Sequence, residues 1–370
     1  MSILRHRYFA CTLLGVACGT AFAESPAPAS LRDHERFATR AIAASTTPRA
    51  LPVVEPGAVR LPREITVEGE AMGFDAALEA SGTAAWIVLR DGRVVDERYY
   101  GGRDANTVFP VFSVTKSMVG ALAAMARAEG TLGDIGTPIP DLLPEPVAAD
   151  RRCARIAWRD LLDMKSGARF SEVYDDADSD VARLYLADDL GAEAARTGCE
   201  ARPGRRFRYA SIDTQWLGDA LATRLGRPLD VLLQERIWQP MGAAHDATWS
   251  TDANGRIKAF CCLNARAPDL ARFGQWMLGR GDAGGPPAAW VDGLLDRARR
   301  GEPYADQWWL LHDPKSGPDA AALLAQGILG QFVFVHPHAR LVIVRIGERE
   351  GEIPWRTLFG AIASANPPAP

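Results

Sequence analysis

Two β-rich doublets, far apart in the chain, narrow the available folds more than any other feature. The first, "TAAWIVLRDGRVVDERYYG", sets two runs of strand-forming residues around Asp91-Gly92, a dipeptide suited to a two-residue hairpin turn. The second, "GQFVFVHPHARLVIVRIG", again places two such runs around a turn. Between them, from about 140 to 310, apolar residues recur at helical spacing in "IAWRDLLDM", "DTQWLGDALATRLG", "LDVLLQERIW" and "PDLARFGQWMLG". "PWRTLFGAIASA" is expected to be a closing helix. The reading is an α+β architecture: an antiparallel sheet built from both ends, flanked by helices, with a mainly helical second subdomain. The α/β part is expected over about 64–135 and 320–366, and the helical part over about 136–319. A site is expected at their junction, where clefts form. Residues 24–63, rich in Ala, Pro, Ser and Thr, read as an exposed arm.

Composition bears on partners. A formal net charge of -4, with no long run of one sign, argues against nucleic acid or an anionic membrane surface as the main partner. No C-x-x-C or H-E-x-x-H occurs and the six histidines are scattered, so a zinc site is improbable, and the chemistry read below needs no metal or organic cofactor. Residues 1–23 stand apart. Arg5, His6 and Arg7 precede a short apolar stretch that ends in Ala21-Phe22-Ala23, the pattern of a secretory signal cut after Ala23. That predicts a periplasmic or secreted protein. A lipoprotein modified at Cys18 is the weaker alternative, because Gly15 stands where such signals prefer leucine. No membrane span is expected after cleavage.

The segment "FPVFSVTKSMVGALAAMARAEG" carries the chemistry. The chain has four lysines among 42 basic residues, and one of them, Lys116, lies in this apolar stretch three residues after Ser113. A helix is predicted from Ser113 to Glu129, with Gly130 as its stop. Residues three apart share a helix face, so hydroxyl and amine come within reach. Phe112, Val114, Met118 and Val119 would leave the amine poorly hydrated. Burial favours the neutral form, which can accept a serine proton; a guanidinium could not. By itself S-x-x-K is a weak to moderate signal, with a helix-capping serine and a solvated lysine as the alternative.

The surroundings decide. "FSVTKSMVGALAAMARAEGTLGDIGTPIPDLLPE", "IAWRDLLDMKSGARF", "PGRRFRYASIDTQWLGDAL", "RIWQPMGAAHDATW", "APDLARFGQWML" and "QGILGQFVFVHP" follow one another in an order that resembles the serine β-lactamase-related hydrolases. The likeness runs from about Ala84 to Gly347. It points to the class C-like branch with 6-aminohexanoate-dimer hydrolases and esterases, and implies the β-lactamase/penicillin-binding transpeptidase-like fold. It implies that Ser113 is the acylated nucleophile, Lys116 its base and Tyr209 the tyrosine that completes the site. A phenol held against an ammonium is expected to ionise more readily, so that Tyr209 and Lys116 share the proton transfers.

The third motif departs from the family pattern. Lys165-Ser166-Gly167 is out of order, and Lys315-Ser316-Gly317 is bracketed by prolines. The positional match is Ala325-Gln326-Gly327, so Gly327 would allow close backbone approach, and the Ser113 and Ile328 amides would form the oxyanion hole. Ala325 replaces a cation and Ser211 an asparagine, which demotes β-lactam and D-amino-acid substrates. Tyr174, Ser211, Gln326 and Gly327 are the implied substrate contacts. Trp308 and Trp309 are expected to line the cleft or the core. In an oxidising compartment Cys153–Cys199 is the favoured disulfide, because both precede segments that converge on the site; buried free thiols are the alternative. The implied function is hydrolysis of small esters, with linear amides as a second class. The alternatives are a β-lactamase or D-amino-acid peptidase of the same fold, and a non-catalytic relative that binds a ligand in the cleft.

Overall fold

Asp91 and Gly92 take φ of 52° and 75°, and Arg90 pairs with Arg93 across them. Two consecutive left-handed residues match the right-handed twist of the strands they join. This hairpin starts a seven-stranded sheet in the computed structural model, which describes residues 29–368 apart from Glu55, Pro56, Ala58, Glu68, Pro314 and Ser316. The signal-peptide expectation lies outside the described residues. Across the sheet the strands run Arg93–Tyr99, Thr83–Arg90, Leu341–Gly347, Gln331–His336, Ala322–Gly327, Trp308–Leu311 and Tyr304–Ala305, each antiparallel to its neighbour. The two ends of the chain thus meet in one sheet, as the two doublets predict.

Alternation sorts the central strands between two layers. Ile87, Leu89, Val333, Val335, Val342 and Val344 join the larger core, on the side of the helix Ala267–Leu278. Trp86, Val88, Phe332, Phe334, Leu341 and Ile343 point the other way, against Phe74, Trp355 and Phe359 of the flanking helices Phe74–Ala80 and Trp355–Ala365. Burial on both faces explains why these strands are nearly all apolar. Gly274 sets one layer spacing: a Cβ there would lie 2.4 Å from Val342 Cγ1.

Three features add to the sequence reading. Within the mainly helical segment 136–319, Tyr304–Ala305 and Trp308–Leu311 extend the main sheet through a hairpin at Asp306 and Gln307. Those turn residues have φ of 45° and 69°, a geometry usually signalled by Asn-Gly or Asp-Gly and hidden here by glutamine. Buried Gln307 compensates: its amide donates to Leu161 O at 2.8 Å and accepts from Thr214 Oγ1 at 2.7 Å. Second, Ala247–Ser250 and Leu263–Arg266 form a smaller antiparallel sheet with Val108–Pro110. Third, the arm is not simply exposed. Thr39–Ile42 is the edge strand of that smaller sheet, with Ile42 buried and Ala247 opposite it.

Candidate active site

The strand Val108–Pro110 delivers the chain to Ser113, which is the N-cap of the helix Val114–Ala128. Phe112 has φ of 45°, uncommon for an aromatic residue and a local strain of the kind found at sites. The Ser113 hydroxyl does not cap its own helix. Instead it accepts a hydrogen bond from Lys116 Nζ at 2.8 Å.

Lys116 is 1% exposed. Its amine also donates to Phe260 O at 2.6 Å and lies 5.1 Å from the centre of the Tyr209 ring. Burial pushes its pKa down to about 8, against an opposing pull from Glu172. Burial therefore brings the neutral amine, the form able to accept the Ser113 proton, within reach near neutral pH. Tyr209, just before the helix Ser211–Leu225, completes the cluster. Its ring stacks on Trp309 at 5.6 Å and meets Tyr304 edge-on at 5.9 Å. Burial and the Glu172 charge push the phenol well up, while its hydrogen bond with Ser113 pulls it back. Burial in the aromatic box and the nearby carboxylate thus oppose the ready ionisation expected from Lys116 alone.

Gly327 ends the strand Ala322–Gly327 against the nucleophile. A Cβ there would lie 2.7 Å from Val111 O and 3.1 Å from Ser113 N, so glycine is required for this approach. Ile328 follows and shares one cleft with Ser113, and the next residue, Leu329, has φ of 63°. Arg345 pins this turn by donating to Gly330 O at 2.8 Å. Gln326 precedes Gly327 on the same strand. Its side-chain oxygen accepts from Arg356 at 2.6 Å, and that guanidinium lies 4.6 Å from the Trp309 ring. The two tryptophans split: Trp308 is fully buried core, and Trp309 backs Tyr209.

The cleft has a volume of about 370 Å³ and carries Ser113, Tyr174, Ser211, Phe260, Cys261 and Ile328 on its walls. Ala29 and Arg36 also line it, so the N-terminal arm contributes to the site. Tyr174 is 52% exposed at the mouth, with its hydroxyl turned in to donate to Glu172 Oε1 at 2.6 Å. Ser211 donates to the same carboxylate from its amide at 2.7 Å and from its hydroxyl at 2.5 Å. Glu172 was not anticipated from sequence. Its signal was its place two residues before Tyr174, since alternate residues of an extended loop share a face.

Lys165-Ser166-Gly167 serves structure. Ser166 donates to the buried Asp213 at 2.5 Å, tying its block to the tyrosine helix. Cys153 and Cys199 are bonded, with Cα atoms 5.5 Å apart, and Cys261 and Cys262 are bonded to each other. Among the described residues no His, Cys, Asp and Glu cluster suits a metal, and no helix is long and apolar enough to cross a membrane.

A family described as Beta-lactamase matches residues 74–363. The chain is 26% identical to the 6-aminohexanoate-dimer hydrolase of Paenarthrobacter ureafaciens, over 74% of this chain and 74% of the relative. A candidate 6-aminohexanoate-dimer hydrolase from Bacillus anthracis superposes with a TM-score of 0.77 at 22% identity, covering 90% of this chain and 91% of that one. A beta-lactamase/D-alanine carboxypeptidase from Yersinia pestis gives 0.63 at 16% identity, over 78% and 95%. At these identities the solved structures show a shared fold. The family match extends over most of the chain, which therefore belongs to the beta-lactamase family of serine hydrolases.

Proposed function

We propose that this protein is an exported hydrolase that cleaves small carboxylic esters, and linear amides beside them, through an acyl-Ser113 intermediate. The observation that carries the reading is the 2.8 Å bond from a fully buried lysine to the serine hydroxyl. Neutral Lys116 takes the Ser113 proton as Oγ attacks the carbonyl carbon. The amides of Ser113 and Ile328 receive the developing oxyanion. Tyr209 hands a proton to the leaving alcohol or amine and is reprotonated from Lys116. Water then attacks the acyl-enzyme with the proton transfers reversed.

Amides are included because the Paenarthrobacter relative is named for an amide substrate and Tyr174 stands at the cleft mouth. Export rests on the pattern of residues 1–23 and accords with the Cys153–Cys199 bond. β-Lactams and D-amino-acid peptides rank lower, since Ala325 is buried and brings no charge to the third motif. Intact mass after brief exposure to p-nitrophenyl acetate tests the reading. An acetyl increment in wild type and none in Ser113→Ala is expected. Equal turnover in both proteins would remove the serine mechanism and restore the ligand-binding alternative, while rapid nitrocefin hydrolysis would favour a β-lactamase.

A further inference from the structure

Lys116 Nζ has two close oxygens, Ser113 Oγ and the carbonyl of Phe260. The second is set by an unusual piece of chain. Phe260 is followed by Cys261 and Cys262, whose sulfurs are bonded to each other. A ring closed across a single peptide unit leaves that backbone few conformations. Cys262 has φ of 76°, a left-handed geometry that a free cysteine would tend to leave. The stretch is also tied to the site on both sides. Trp249 Nε1 donates to Cys261 O at 2.9 Å, and Leu263 N donates to Thr115 Oγ1 at 3.2 Å, beside Lys116. Phe260 and Cys261 are themselves part of the cleft wall with Ser113 and Ile328.

We infer that the Cys261–Cys262 disulfide is a positioning element for Lys116, holding the Phe260 carbonyl on the amine, so that thiol–disulfide exchange at this pair switches acylation. The inference rests on the Ser113–Lys116 reading above. In the exchange a thiolate of a small dithiol reductant attacks one sulfur and the Cys261–Cys262 bond breaks. The second reductant thiol then displaces the mixed disulfide. Two protein thiols form by a two-electron reduction, and the reductant leaves as its own cyclic disulfide. Cys261 borders the cleft, which is the route for such a reagent. With the ring open, Cys262 relaxes and the carbonyl that fixes the amine moves.

The test uses the full chain treated with dithiothreitol, with thiols located by alkylation and mass mapping of quenched samples. Folding is followed by circular dichroism, and acylation by the p-nitrophenyl acetate burst. Reduction at Cys261 and Cys262 should slow acylation roughly ten- to a hundredfold, the cost of a small misplacement of a catalytic group, with KM nearly unchanged. Reoxidation should restore it. Cys153→Ser with Cys199→Ser should keep this sensitivity; Cys261→Ser with Cys262→Ser should be slow and insensitive. An unchanged burst rate in protein mapped as reduced at both positions would overturn the inference. So would sensitivity that disappears in the Cys153→Ser, Cys199→Ser protein. A missing acyl adduct in the oxidised wild type would instead overturn the serine reading, and the inference with it.

Discussion

Lys116 and Lys258 share almost everything that makes a lysine unusual. Both are buried, at 1% and 0% exposure, and burial pushes each down to about 8. Each ammonium donates to a backbone carbonyl, Phe260 O at 2.6 Å and Tyr185 O at 2.8 Å. Each also lies over an aromatic ring, Tyr209 at 5.1 Å and Phe37 at 4.6 Å. They differ in what else is present. Lys116 meets the Ser113 hydroxyl on the wall of a cleft, beside a tyrosine whose phenol burial pushes up. Around Lys258 the opposing influences are two carboxylates, Asp252 and Asp188, and its setting ties the arm residue Phe37 to the segment that leads to Phe260. A depressed lysine is thus not a site. It becomes one when a nucleophile and an opening to substrate meet it.

The contrast can be broken in order of expected effect. Lys116→Ala should cut acylation by roughly 10²–10⁴-fold, the usual worth of general-base assistance, while Lys258→Met should leave the rate per folded molecule within about threefold. Burst kinetics on both variants check this, and equal losses would erase the distinction. Lys258→Met should instead lower stability by about 1–3 kcal/mol, since Tyr185 O loses its donor. Gly327→Ala should cost roughly 10²–10³ in kcat by pushing the strand away from Ser113 N, as the loss of an oxyanion donor does. A kcat near wild type would show that Ile328 does not complete the oxyanion hole.

Two smaller effects sharpen the picture. Tyr174→Phe should slow amide cleavage about tenfold and ester cleavage hardly at all, because a poor leaving amine needs the proton more. Equal losses in paired ester and amide assays would reduce Tyr174 to a wall residue. Glu172→Gln should move the acid limb of the acylation profile to lower pH. The Glu172 charge favours ammonium at Lys116, so its removal lowers the amine's pKa and extends activity downward in pH. A limb that moves upward would contradict that sign.

Much of this was legible in the sequence wherever one strong local rule operated. Asp91-Gly92 specified its hairpin, Gly130 ended the nucleophile helix, and Ser113 and Lys116 met as a three-residue spacing requires. What was not legible depended on distant partners. Thr39–Ile42 buries only Ile42 and is a strand because Ala247–Ser250 lies alongside it. Asp306-Gln307 turns tightly because Gln307 is held by Leu161 and Thr214, and Gly120 leaves room for Asp306 O. Glu172 matters through Ser211, nearly 40 residues later in the chain. For Tyr209 the sequence pointed to Lys116 alone, whereas Glu172 and burial by Trp309 and Tyr304, which oppose ionisation, come from distant parts of the chain.

The central claim is that a buried, largely deprotonable Lys116 activates Ser113. The most direct measurement is the pre-steady-state acylation rate of wild type against pH, from about 6 to 10. Acylation should rise with pH and level off above a midpoint near 8, where the Lys116 amine loses its proton. A profile flat across that range, or one that keeps climbing to an ordinary lysine midpoint, would show that this amine is not the base.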